Sequence, residues 1–410
     1  MKFSLIFSTN FDVNQNISLL IKNTTIMWDK IKSRLSSQKG GTTLGVSTFL
    51  GSIISGIFGL FVAPILGAED FGTVSYYFAI AGFAVAISSF GAHHVLLVYL
   101  SKGVKIFSTF SLVALIASLV ASIVVFIIFK EISISVLIVG LIIFELLLSE
   151  LLAKQLYSKH LKYYLTQRLC FVVLSLALYF LWGPSGFVLG HGLSLFPGLI
   201  RIYWGFKESK IDFNLIKERS NFIFHHYVLQ VARTSYSYLD RLIIFPLFGF
   251  ITLGNYELSI QIIVMANVFS VFVYQYLQPK DAKNESTEKL KYIAVLTSFI
   301  ISLMVIFLSP TVIPLLFPQF EESVDLIPIM GISIVPHTVI MLYMSKFLGS
   351  EKTRPILLSS LIHLGVLITG IFILTDIYST LGLAIAFVLA EIIECLFLIS
   401  MHKKIFKTYL

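Results

Sequence analysis

Charge is scarce in this 410-residue chain: Asp, Glu, Lys and Arg make up 13% of it, against about 25% in ordinary soluble domains. There is too little to solvate a large water-facing surface. Cysteine is scarcer, with Cys170 and Cys395 as the only two. Both fall within apolar stretches, so neither a disulfide framework nor a cysteine metal site is expected. The chain has no G-x-x-x-x-G-K-[ST] loop; "QKGGTTLG" departs from that order, which argues against ATP-driven transport. No basic patch interleaved with aromatics suggests a nucleic-acid partner. No cleavable signal precedes the first apolar span, and no cofactor or metal is implied. The adjacent pairs His93-His94 and His225-His226 point to different helix faces, so neither forms a metal site by itself.

What is present is apolar. Hydrophobic residues make up 57% of the chain, the mean hydropathy is +0.90, and nearly every window of about 20 residues from Leu44 onward is long and apolar enough to cross a bilayer. Clusters of charge, Gly and Pro divide the chain into twelve expected spans: 44–66, 74–100, 106–129, 132–153, 163–182, 185–205, 221–248, 253–278, 290–316, 323–348, 355–375 and 380–402. Each is too long and too evenly apolar for the alternating strands of an outer-membrane barrel, so all are read as helices. The fold class is an all-α integral membrane protein.

Lys and Arg alternate from loop to loop. Of 30 basic residues, 24 fall on one side, only Lys130 on the other, and five (Arg168, Arg201, Arg233, Arg241, Lys346) inside or at the ends of spans. The positive-inside rule places both termini in the cytoplasm. The external connections are only a few residues long, leaving little room for the outer loop that a lipid-sugar polymerase or ligase would need. Three N-x-[ST] sequences, beginning at Asn16, Asn23 and Asn284, lie on the cytoplasmic side and are discounted as glycosylation acceptors. Residues 1–26 carry no span, and a chain starting at Met27 is expected to insert and function.

One turn is spelled twice. "PILGAEDFGTV" from Pro64 and "PLFGFITLGNY" from Pro246 both place Gly three and eight residues after the proline, 182 residues apart at every matched position. Each copy joins the first two spans of a six-helix half. The expected organisation is a cytoplasmic segment 1–43, lobes 44–205 and 221–402, a linker 206–220 and a tail 403–410. With six spans per half, the lobes are parallel repeats about an axis along the membrane normal.

"LGAEDFGTVSYYFAIAGF" after the first helix and "YLDRLIIFPLFGFITLGNYELSIQI" opening the second half resemble the Wzx-type polysaccharide (O-antigen and capsule repeat-unit) flippases. Those belong to the wider superfamily of MATE drug exporters, oligosaccharidyl-lipid and polysaccharide exporters and lipid II flippases. The resemblance covers roughly residues 40–405 and is sharpest at Leu66-Gly67, Phe71-Gly72, Asp240-Arg241 and Gly254-Asn255-Tyr256. It implies a MATE-like, non-enzymatic protein of the bacterial cytoplasmic membrane. Such a protein would carry an undecaprenyl-diphosphate-linked oligosaccharide from the inner to the outer leaflet, with membrane lipids and glycan-assembly proteins as its other partners.

The residues support that reading on their own terms. On the seventh span His226, Gln230, Arg233, Ser237 and Asp240 recur at intervals of four, three, four and three, which keeps them on one face. Arg233 lies near mid-membrane, where a charge needs water or a partner. It either lines a cavity or pairs structurally with an acid on another helix. A diphosphate suits the planar guanidinium fork, so Arg233, Arg241 and Arg168 are the candidate headgroup ligands, with Gln230, Asp240 and His226 beside them. Arg168 equally suits an anchor at the cytoplasmic helix end, and Arg201 and Lys346 read as snorkelling anchors. The intramembrane acids Glu145, Glu257, Glu391 and Glu394, with His337, are candidates for ion coupling. Structural pairing competes with that role at each of them. Cavity charge separates the two transport classes, since anionic headgroups want arginines whereas cationic drugs want acids and aromatics.

Overall fold

The computed structural model describes residues 41–208, 210–283 and 285–406, with side chains from Ser55 onward except those of residues 208, 229, 233 and 236. The expectations for residues 1–40 lie outside the described residues. Every described element is helical.

Eight helices are long and apolar enough to cross a membrane, and a ninth candidate is the pair Ser323–Gly331 and Ile334–Gly349, bent by 44°. Three long helical paths contain a residue with non-helical backbone: Gly67 within Gly41–Ser88, Gly183 within Tyr157–Ser194, and Gly249 within Ser220–Ala266. The chain reverses at all three. Phe58 and Phe78 each sit 6.3 Å from the same Phe187 ring, although twenty residues of straight helix would separate them by about 30 Å. Arg241 bonds Glu257 across Gly249, 16 residues on, and Gln167 bonds Ser194 across Gly183, 27 residues on. Cut at these glycines and with the bent pair taken as one, the described chain holds twelve spans in the expected order.

Four spans are less regular than the sequence suggested. The second, sixth, eighth and tenth break mid-course, between Ser88 and Ala92, between Ser194 and Leu199, at Asn267, and between Gly331 and Ile334. Pro197 sits in the second of these breaks, where it removes a helical donor. Gly91 occupies the first with φ +74°.

The repeated turn has a physical explanation with two parts. Gly67 (φ 75°, ψ 173°) and Gly249 (φ 82°, ψ −177°) occupy a backbone region essentially reserved for glycine. Gly72 and Gly254 serve a different purpose, because they pack against each other's helix. A Cβ on Gly72 would lie 2.0 Å from the carbonyl oxygen of Phe250, and one on Gly254 would lie 1.8 Å from that of Ala68. Ala68 and Phe250 are themselves 182 residues apart, so the contact is reciprocal. The two halves cross here at backbone distance.

Peripheral helices are apolar outward and small or hydroxylated inward. In Phe107–Phe129 the buried residues include Ser108, Ser111, Ala114 and Ser118, with Phe107 and Phe110 at the start of the helix, while Ile116, Leu119, Val120, Ile123 and Ile127 are exposed. Glu288–Leu316 repeats this with Ala294, Ser298 and Ser302 inside and Tyr292, Phe299, Ile300 and Phe307 outside. Such inversion suits lipid, where small residues let helices approach and large apolar ones face the hydrocarbon. It makes this a multi-pass membrane protein.

Candidate functional site

A cavity of about 360 Å³ lies between the halves, walled by the first, second, fourth, fifth, sixth, seventh and eighth spans. Much of its wall is aromatic: Phe58, Phe71, Phe78, Phe171 and Phe187. Its charged groups are Arg168, Arg241 and Glu257, joined by His191, Ser75, Tyr238 and Gln261.

The reversal at Gly249 builds the charged centre, because it lies midway between Arg241 and Glu257 and folds one back on the other. Arg241 donates from Nε to Glu257 Oε2 at 2.7 Å and from Nη2 to Oε1 at 3.3 Å, a two-point contact suited to the guanidinium fork. Its Nη1 also reaches Asp240 Oδ1 at 3.2 Å, while the buried Tyr256 hydroxyl donates to Asp240 Oδ2 at 3.0 Å. Ser75 Oγ donates to Glu257 Oε2 at 2.9 Å across a separation of 182 residues. The two positions are related by the 182-residue offset of the repeated turn, and they meet where the helices carrying Gly72 and Gly254 cross. Gly59, the repeat counterpart of Arg241, lines the same cavity, so only the second half supplies this charge.

Arg168 stands differently. Its Nη2 donates to Tyr164 at 3.2 Å, its guanidinium lies over the Tyr164 ring at 5.1 Å, and its buried Nε has no hydrogen-bond partner among the described residues. Arg241 is held by two carboxylates, whereas Arg168 has no acidic partner among the described residues, so the guanidinium left open to the cavity is that of Arg168.

The remaining candidates fall elsewhere. Asp240 is buried behind Arg241. Gln230 donates to Ser89 Oγ at 2.9 Å, and the His226 ring packs on Phe222 at 4.2 Å and His94 at 5.4 Å; both sit where the second span meets the seventh. The Arg233 side chain lies outside the described residues. Glu145 Oε1 accepts the His93 backbone N–H at 3.3 Å, beside the His93 to Ser149 contact of 3.0 Å. Arg201 is no snorkelling anchor: it holds the fully buried Glu150 through Nε at 3.1 Å and Nη2 at 2.8 Å.

A second buried cluster joins the tenth, eleventh and twelfth spans. His337 Nδ1 lies 3.3 Å from Glu391 Oε1, His363 Nδ1 lies 3.0 Å from Glu394 Oε2, and Ser359 donates to Glu394 Oε1 at 2.8 Å. Reading the sequence linked His337, Glu391 and Glu394 to one role but missed Ser359 and His363, which are four apart and so share a helix face. Ser75 was missed as well, although the 182-residue offset pointed from Glu257 to it.

No family model matches this chain, and no curated protein sequence matches it. Its fold is shared with solved transporters. The lipid II flippase MurJ in an inward closed conformation aligns with a TM-score of 0.72 at 14% identity, over 88% of this chain and 87% of that one. An inward-facing multidrug-resistance MATE family transporter of the MOP superfamily aligns with a TM-score of 0.64 at 13% identity, over 90% and 99% of the two chains. A MOP superfamily transporter from Pyrococcus furiosus aligns at 0.54 and 15% identity, over 88% and 94%. The fold is therefore that of MOP-superfamily flippases and exporters.

Proposed function

We propose that this chain is a flippase for polyprenyl-diphosphate-linked oligosaccharide repeat units, of the Wzx type, acting at a bacterial cytoplasmic membrane by alternating access. In this reading the lobes 44–205 and 221–402 rock about the Gly72–Gly254 crossing while the lipid tail stays in the bilayer. Both termini lie in the cytoplasm. The observation that carries the proposal is the state of the two cavity arginines: Arg241 is held by Glu257 and Asp240, while Arg168 faces the cavity with no acidic partner among the described residues. An anionic headgroup leaving water needs such donors to replace its hydration. Arg233 is a further candidate ligand, and the buried His337, Glu391, His363 and Glu394 cluster is the candidate for ion coupling.

The test is flipping of a fluorescent undecaprenyl-diphosphate oligosaccharide in proteoliposomes. Arg168→Ala is the informative variant, since no acid is orphaned when it goes. Its flipping rate should fall about 10-fold or more, as for loss of a charge-assisted bond of 1.5–3 kcal/mol, with the folded protein recovered in normal yield. A normal rate would remove the cavity arginine from headgroup binding. A second reading, a cation-coupled exporter of drugs or other small molecules, is favoured by the five phenylalanines and Glu257 on the same walls. Saturable binding of a lipophilic cation, unaffected by the diphosphate lipid, would decide for it.

A further inference from the structure

A second cavity stands apart from the central one. A pocket of about 410 Å³ opens between the fourth, fifth and sixth spans, with Lys159, Lys162 and Arg201 around it and Phe144, Leu156 and Leu195 among its apolar walls. Lys159, Lys162, Tyr163, Thr166 and Cys170 form one stripe on the fifth span. From Lys159 to Cys170 that stripe runs about 16 Å along the helix axis. Arg168 lies on the opposite face of the same helix, lining the central cavity, so this pocket stands off the transport path.

The charge at its mouth is unbalanced. Glu150 is fully buried and already shared by Arg201 and Lys154, the latter at 2.7 Å. Lys159 and Lys162 are exposed and have no acidic partner among the described residues. Two free ammonium groups over a deep apolar slot match an amphiphile with an anionic head. Tyr163 and Thr166 offer hydroxyls below the lysines, at the level of ester carbonyls. We propose that this pocket holds an anionic phospholipid of the lysine-side leaflet, with its phosphate on Lys159 and Lys162 and one acyl chain running toward Cys170. Basic pockets between spans on that side are suited to such headgroups.

Delipidated full-length protein would be incubated in detergent with phosphatidylglycerol or phosphatidylethanolamine, and bound lipid counted by native mass spectrometry. Phosphatidylglycerol should be retained preferentially. The double variant Lys159→Gln/Lys162→Gln should weaken its retention by about 25-fold, at about 5-fold per lysine, leaving phosphatidylethanolamine unchanged. Both lysines are exposed, so the variant should fold. Cys170→Trp, which fills the slot with the lysines intact, should also abolish retention. Equal retention of the two lipids, or retention indifferent to both variants, would overturn the proposal. Displacement of phosphatidylglycerol by undecaprenyl diphosphate at lower concentration would also overturn it, assigning the pocket to the carrier lipid instead.

Discussion

Arg241 and Arg168 are the same side chain under opposite constraints, and they should answer mutation differently. Arg241 shares Glu257 with Ser75 and lies against Asp240. Removing Glu257 leaves a mostly buried guanidinium short of one carboxylate, a loss of about 3–5 kcal/mol in a dry interior and less where the cavity admits water. Glu257→Ala should therefore lower the midpoint of thermal unfolding in detergent. Replacing the whole charged group, as in Asp240→Asn/Arg241→Met/Glu257→Met, should restore much of that stability without restoring transport, because it leaves no buried charge unpaired and uncharged replacement of a buried ion cluster is often neutral. An unchanged midpoint in Glu257→Ala would show that the pair contributes nothing to the fold. The pairing was within reach of the sequence, since Gly249 stands eight residues from each partner and the turn there was already read. His363 was not within reach, because its meeting with Glu394 depends on how the eleventh and twelfth spans pack, which no single-helix period reveals.

At the scale of the helix, the repeated P-x-x-G-x-x-x-x-G pattern makes two separable predictions. Gly249→Ala meets no atom within 4 Å, so its cost is backbone strain alone, about 1–3 kcal/mol. It should reduce stability and leave a foldable protein. Gly254→Ala instead drives a methyl group into the Ala68 carbonyl, and neither backbone can yield without parting the halves. It should abolish folded protein, as judged by a monodisperse peak on size-exclusion chromatography. Gly254→Ala protein as monodisperse as the wild type would mean that the halves do not cross there. The turns were legible because Pro and Gly mark them locally. The mid-span breaks were not, since Asn267 and the Gly331–Ile334 step lie within apolar sequence that reads as continuous helix.

For the molecule as a whole, Lys and Arg asymmetry fixes the expected orientation: reporters fused after Gly67, Gly183 and Gly249 should read as external, and those after Lys105, Lys210 and Lys283 as cytoplasmic. A cytoplasmic reading at Gly249 would break the parallel-repeat arrangement. The alternating access proposed above would require the halves to part on the lysine-rich side, and among the described residues the second and seventh spans meet there. Gln230 bonds Ser89, Phe90 faces Tyr227 with ring centres 5.6 Å apart, and a Cβ at Gly91 would lie 3.4 Å from the Cβ of His226. That separation lies just below the disulfide range of about 3.5–4.5 Å, and with Tyr227 N at 3.2 Å from the same Cβ the two helices must ease apart by a few tenths of an ångström. Gly91 has a left-handed backbone (φ 74°, ψ 27°), which costs a cysteine there about 1–2 kcal/mol. In a background with Cys170 and Cys395 replaced, Gly91→Cys with His226→Cys should form a disulfide on oxidation. If the halves must separate at this contact, the oxidised protein should not flip substrate, and reduction should restore flipping to the level of the unoxidised pair. Each single cysteine variant should be indifferent to oxidation. A protein that is fully cross-linked and still transports would show that the cytoplasmic opening lies elsewhere, and the rocking motion proposed for the two lobes would have to be abandoned.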